Sequence, residues 1–232
     1  MADIELPVPV TKGPYWRVNL RPGTYEENRI TNLSRCFDIV DNTEVHFRGR
    51  NYPYLSHRLE ERGQGSNWVE SWTDFMWHQE YWRLYQSGQF LHLFTIYESS
   101  NVEWHEELRR MTKSHLGQWH SLDWDNVPGF IHITNFLYTV TEIFEFASRL
   151  AQAQILDGEV GIDIGLHGVR DFLLTTDQNR AWTTFAKLAQ SEINHRWSLP
   201  ADTLIGKTTE HSLQAAVWFF ERFGWMNPPK QY

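Results

Sequence analysis

The stretch from Tyr81 to Phe94 gathers the side chains best suited to recognition or chemistry: Tyr81, Arg83, Tyr85, Phe90, His92 and Phe94. Gln86-Ser87-Gly88-Gln89 separates two aromatic-rich runs that alternate with period two, a hairpin signature. With Ser87-Gly88 as a two-residue loop, Tyr85 stands opposite Phe90, Leu84 opposite Leu91, Arg83 opposite His92 and Trp82 opposite Leu93. One face then carries Trp82, Leu84, Leu91 and Leu93 and turns to a core. The other carries the six residues above, rings with polar tips around one permanent cation. Such a face can stack flat ligands or single-stranded bases, with Arg83 holding a phosphate. It can equally be a second packed layer under a helix. A slip of one residue in register would exchange the faces.

Other constellations offer less. His115, His120, Asp123 and Asp125 are ligand types for zinc or a transition metal, set in a 112–127 loop with Trp119 and Trp124, but their spacing matches no established pattern. Glu142 and Glu145 lie one helical turn apart. They read as paired carboxylates or, with Arg149 four residues after Glu145, as a helix surface. Gly63-Gln64-Gly65-Ser66 is neither a nucleophile elbow nor a P-loop, though with Arg62 it suggests a small anion nest. His105-Glu106 begins like a zincin helix, but Arg109 stands where the second His belongs. Asp163 has no Lys two to four residues beyond it. No catalytic set, metal site or cofactor follows. His92 is the histidine to test first for acid–base work.

The elements that must position these residues follow from hydrophobic period. Tyr15–Arg21 alternates and reads as a strand stopped by Pro22-Gly23. Thr24 is placed to cap a helix to about Val40, with Glu26 and Glu27 at its positive end. Val45 to Arg48 suggests a short strand, and Leu55 to Asn67 a mobile surface loop. Trp68 to Phe75 makes a third strand with the hairpin, giving a meander. Glu103 to Met111 reads as a charged helix. Pro128 opens a long helix from about Gly129 to Gln154 whose wide apolar face makes it central. Glu159–Leu166 alternates, His167-Gly168 turns, and Val169–Thr176 returns as a second hairpin. Asp177 caps a helix to about His195, with Trp182, Phe185, Leu188 and Ile193 inward. A last helix runs from Thr208 to Phe223 with Gly224 as its stop. The expected architecture is one α+β domain over residues 1–232, mostly antiparallel sheet against several helices, with 99–127 the place where it would divide.

Composition narrows function. The net charge is −8, from 21 Lys+Arg against 29 Asp+Glu, which opposes a nucleic-acid backbone binder. The lone Cys36 excludes a disulfide framework or a thiolate zinc site within one chain. MADIELPVPV is no secretory signal and no apolar run is long enough to span a bilayer, so the expected setting is cytoplasmic, without membrane.

The runs Asn51-Tyr52-Pro53, Gly65-Ser66-Asn67-Trp68 and Glu80 to Phe90, with Thr141 to Ala147 and Trp218 to Trp225, resemble a region of uncharacterised bacterial proteins. Some of those carry a Schlafen-like AlbA_2 DNA-binding domain ahead of it. The resemblance covers the accessory region, not that domain, and implies an accessory, sensing or interaction role without catalytic residues. The expected function is a non-enzymatic binding or sensor module. Its aromatic hairpin face would meet a protein partner or a second copy of the chain. A metal-dependent hydrolase or nuclease using His92, and a single-stranded nucleic-acid binder, are the alternatives.

Overall fold

The computed structural model describes residues 6–117, 120–176 and 185–226. In chain order the strands are β1 (Tyr15–Arg21), β2 (Arg62–Gln64), β3 (Trp68–Phe75), β4 (His78–Tyr85), β5 (Phe90–Thr95), β6 (Phe130–His132), β7 (Glu159–His167), β8 (Leu173–Thr175) and β9 (Glu192–Pro200). The helices are α1 (Leu33–Thr43), α2 (Tyr97–Ser100), α3 (Val102–Leu116), α4 (Ile133–Gln152), α5 (Ala201–Gly206) and α6 (Thr208–Arg222). Seven strands form one antiparallel sheet in the order β2-β3-β4-β5-β1-β7-β9, and β6 and β8 form a small parallel pair. The class is α+β with a mostly antiparallel sheet. Among the described residues no helix is long and apolar enough to cross a membrane.

The sheet buries one face under helices. Trp16, Val18 and Leu20 of β1 and Val160, Ile162, Ile164 and Leu166 of β7 point inward by strand alternation. They share one core with Phe136, Val140, Ile143 and Phe146 of α4 and with Phe219 and Phe220 of α6. Trp16 meets the Phe136 ring at 4.9 Å, and Phe136 meets Phe219 at 5.4 Å. On the outer face a smaller cluster forms where Val8 and Val10 of the N-terminal segment cover Tyr81 and Leu93.

The meander forms as expected, but its register differs by one residue. Leu84 pairs with Phe90, Arg83 with Leu91, Trp82 with His92 and Tyr81 with Leu93. The Gly88 amide bonds the Tyr85 carbonyl at 2.9 Å, and the Tyr85 amide bonds the Gln89 carbonyl at 2.9 Å, so three residues, not two, make the loop. Gly88 takes φ +86°, and a Cβ there would sit 2.8 Å from the Ile155 carbonyl oxygen. This is the three-residue turn with a left-handed glycine. Gln86, placed by the extra residue, exchanges backbone bonds with Ile30 and Asn67.

Other expectations are corrected by long-range pairing. The first helix starts at Leu33, capped by Asn32, whose Oδ1 accepts from the Arg35 amide at 2.9 Å. The chain before it is tied elsewhere: Gly23 N–H to the Asp157 carbonyl, Arg29 to the Asp157 carboxylate. Phe130–His132 pairs with β8, which delays the long helix to Ile133. β7 does not turn back on Val169–Thr176; β1 and β9 flank it. Residues 185–195 are not helical: Leu188 and Ala186 bond across to Phe172 and Leu174, and β9 begins at Glu192. Asp177 and Trp182 lie outside the described residues, as does Trp119. Val45 keeps only a bridge to Tyr52. Arg62 to Gln64 is an edge strand, with Arg62 Nε on the Ser56 carbonyl, so no anion nest forms there.

Candidate functional site

The one-residue difference in register divides the six proposed face residues between the two sides of the sheet. Tyr81, Arg83 and Tyr85 stand on the outer side. Tyr81 is fully buried and donates its hydroxyl to Glu70 Oε2 at 2.7 Å; burial, then Glu70, pushes its phenol well above its ordinary value. Arg83 gives Nε and Nη2 to the same Glu70 oxygen, at 3.0 and 2.7 Å, and lies 3.8 Å over the Trp68 ring. Its guanidinium is thus neutralised and stacked by the chain itself. Tyr85 alone of the three keeps a half-exposed ring with no carboxylate bond.

Phe90, His92 and Phe94 stand on the inner side and are buried, which corrects the expectation of an open aromatic face. Phe90 packs on Phe146 of α4 at 4.8 Å. His92 belongs to a closed polar network. Its Nε2 donates to the Glu80 carboxylate Oε1 at 2.8 Å and its Nδ1 lies 3.1 Å from the Tyr52 hydroxyl. Glu80 Oε1 also takes the Tyr54 amide at 2.8 Å, and Oε2 takes His78 Nε2 at 2.6 Å. Arg50 Nη1 lies 2.9 Å from His78 Nδ1. A guanidinium only donates, so His78 Nδ1 accepts and the ring is neutral; burial, outweighing the Glu80 bond, pushes its pKa down. Burial alone would raise the Glu80 carboxyl, but His92 and His78 outweigh it and hold it well below the usual range. Both nitrogens of His92 are engaged within the protein and its ring is buried.

The remaining candidates separate. His120 stacks on Phe185 at 4.6 Å, His115 lies in α3, and Asp123 accepts from Asn126. Among the described residues no group of three or more His, Cys, Asp or Glu is placed to hold a metal ion. Asp163 is bound by Arg21 and Arg196, both at 2.6 Å. Burial pushes the Cys36 thiol up to about 11, away from a nucleophile's thiolate. Glu145 takes Arg149 at 2.9 Å, as helix spacing expects. Glu142, by contrast, is buried against Arg48.

What the structure does assemble is an end of the molecule where three cavities share walls. One, of about 210 Å³, is lined by Trp16, Phe94 and Phe136 with Arg48, Arg50 and Glu98. A second, of about 390 Å³, shares Arg50 and adds Arg58, Phe75 and His78 together with the acids Glu61 and Asp74. A third, of about 350 Å³, shares Thr95 with the first and is bordered by Met76 and Trp77. Arg48 is fixed by Glu142, by Thr139 Oγ1 at 3.0 Å and by the Asn135 carbonyl at 3.3 Å. Glu98 accepts from the His132 amide at 3.3 Å and from Asn135 Nδ2 at 3.2 Å, and burial pushes its carboxyl up. Arg50 differs from both. Among the described residues no carboxylate lies within ion-pair distance of it, and its one bonded partner is neutral His78.

Large apolar side chains are exposed along these three cavities. Phe75, Met76 and Trp77 are 65%, 74% and 42% exposed, and Tyr97 is 40% exposed. The first three form the tip of the β3–β4 hairpin, where Phe75 pairs with His78 and Met76 takes φ +55°. The tip is not among the residues the sequence pattern singles out. The signal was there: three consecutive large apolar residues break the alternation at a turn without Gly, Asn, Asp or Pro. Arg50 left no signal, because its isolation depends on which carboxylates folding takes away. Comparison of the chain with family models, with curated proteins and with solved structures finds no match.

Proposed function

We propose that the chain is a non-enzymatic, cytoplasmic binding module that receives an acidic, apolar-flanked segment of a partner protein at its Arg50 end. The observation that carries this reading is the exposed Phe75-Met76-Trp77 tip beside a cation that has no carboxylate of its own. Contiguous exposed apolar surface marks an interaction site. A non-glycine residue held at positive φ, at a cost on the order of 1 to 3 kcal/mol, supports the tip as a retained feature. Cavities that join aromatic rings to a guanidinium outside any ion pair suit a carboxylate carried on a chain with large side chains; of the acids that line the second cavity, Glu61 is held by Arg58 and Asp74 by Gln79. The engagement of both His92 nitrogens supports binding over acid–base catalysis. The neutralisation of Arg83 by Glu70 supports a protein partner over a nucleic-acid phosphate. The accessory, sensing or interaction role that the sequence resemblance implies is compatible with such a site.

The test is fluorescence polarisation against labelled peptides that combine Asp or Glu with Leu or aromatic residues, alongside versions with Asn and Gln in place of the acids. Acidic peptides should bind and neutral ones should not. Arg50→Ala and Trp77→Ala, with the fold verified by circular dichroism, should each weaken binding about tenfold or more, the scale of losing an anchor. Binding indifferent to both substitutions, or no acidic peptide bound at all, overturns the proposal.

A further inference from the structure

We infer that two copies of this chain join edge to edge along β9, about a two-fold axis at Asn194, continuing the sheet from one copy into the other. β9 is nine residues long and, among the described residues, pairs only with β7. Its register with β7 runs without a bulge, it contains no Lys, and its one Pro is the last residue. Bulges, lysines and internal prolines are among the devices that keep an open edge from pairing, and β9 lacks all three, though it carries the charged side chains of Glu192 and Arg196. Beside the edge sits a half-buried aromatic group: His195 stacks on Trp218 at 4.2 Å and meets Trp197 at 4.5 Å. A second copy on the same edge would bring its own group alongside, as an isologous contact requires.

Charge order selects the occupant and the register. The outward side of β9 reads Glu192, Asn194, Arg196, all exposed. In an antiparallel pairing of two such strands centred on Asn194, each Glu192 falls opposite the other copy's Arg196. Centring on Arg196 would oppose two arginines, and centring on Ile193 or His195 leaves both charges without an opposite. Arg196 uses its Nε on Asp163 and Glu192 uses one oxygen on His167. A guanidinium has further donors and a carboxylate a second oxygen, so both can take the additional partner. This inference is independent of the Arg50 reading, since no residue of β9 lines those cavities.

Sedimentation equilibrium of the full chain over a wide concentration range should show a monomer–dimer equilibrium. Arg196→Glu and Glu192→Arg should each weaken the dimer about tenfold, because two symmetry-related pairs change from attraction to repulsion. The double variant carrying both should restore it. That restoration separates the pairing from any damage Arg196→Glu does beside Asp163. Asn194→Cys should form a disulfide dimer under mild oxidation, since paired Cα atoms across a two-fold axis fall within bridging distance; Ser198→Cys should not. The chain's own Cys36 is buried and does not compete. A monomer at every concentration, or a dimer that charge reversal leaves unchanged and that the Asn194→Cys variant fails to crosslink, would sink the inference.

Discussion

Glu142 shows how one residue's role depends on a partner far away in the chain. Its spacing from Glu145 and Arg149 fits an exposed helix face, yet its side chain is 1% exposed and faces Arg48. Glu145 and Arg149 pair as spacing says, because that interaction is local. The Arg48 contact joins residues 94 positions apart, and no periodicity reports it. Removing one partner of a buried pair leaves a charge without compensation. Glu142→Ala should therefore lower the unfolding free energy by about 3 to 5 kcal/mol, measured by urea denaturation. Arg48→Met combined with Glu142→Leu should cost much less. Equal losses in the single and double variants would show that packing, not the stranded charge, sets the cost.

The same closed chemistry gives a pH signature. Burial holds His78 neutral below its ordinary value of 6.5, so the folded chain binds fewer protons there than the unfolded one. That stability is present above about pH 6.5 and is lost as pH falls below it. Glu80, held down by its two histidines from an ordinary 4.5, adds stability that is lost as pH falls through the acid range below that value. Glu98 has the opposite sign. Burial raises its carboxyl, so its contribution is present below 4.5 and is lost as pH rises. Denaturation at a series of pH values should show stability falling toward acid, with the first decline flattened in His78→Gln and a steeper acid limb in Glu98→Gln. An unaltered profile in both would contradict these signs.

Elements were legible where local pattern and pairing agree. β1, β3 and β7 alternate, α6 repeats at helical spacing, and each forms within a residue or so of its expected bounds. The segment before β9 carries apolar residues at helical intervals, but its backbone bonds run to residues 172–174 instead. The turn at Gly88 was legible as a turn and not as a length, and that single residue decided which side of the sheet Phe90, His92 and Phe94 occupy. Gly88→Ala should cost well over about 1 kcal/mol, since it forces a side chain into the left-handed region against Ile155. The tip at Met76 predicts the reverse. Met76→Gly should raise stability by up to about 1 kcal/mol by relieving positive φ, while weakening peptide binding at the Arg50 end. A thermal midpoint that drops in Met76→Gly would mean that Met76 packs for stability and is not held out for a partner.

At the scale of the whole molecule the two proposed surfaces are separate. The Arg50 cavities are walled by β1, β3, β4, β5, β6, α2 and the first half of α4, while the pairing edge is β9, with β7 between it and β1. An edge-to-edge dimer would leave both Arg50 ends open and would present two binding sites on one continuous sheet. Linked sites raise apparent affinity for a surface carrying many copies of a ligand without any new contact. The wild-type chain should therefore leave a densely coated acidic-peptide surface much more slowly than the Arg196→Glu variant does. Both should bind the same peptide free in solution with equal affinity. Surface plasmon resonance at high and low peptide density separates the two quantities. Equal departure rates at high density would mean that the dimer does not present both ends together. Unequal affinity for the free peptide would mean that β9 and the Arg50 end are coupled within one copy.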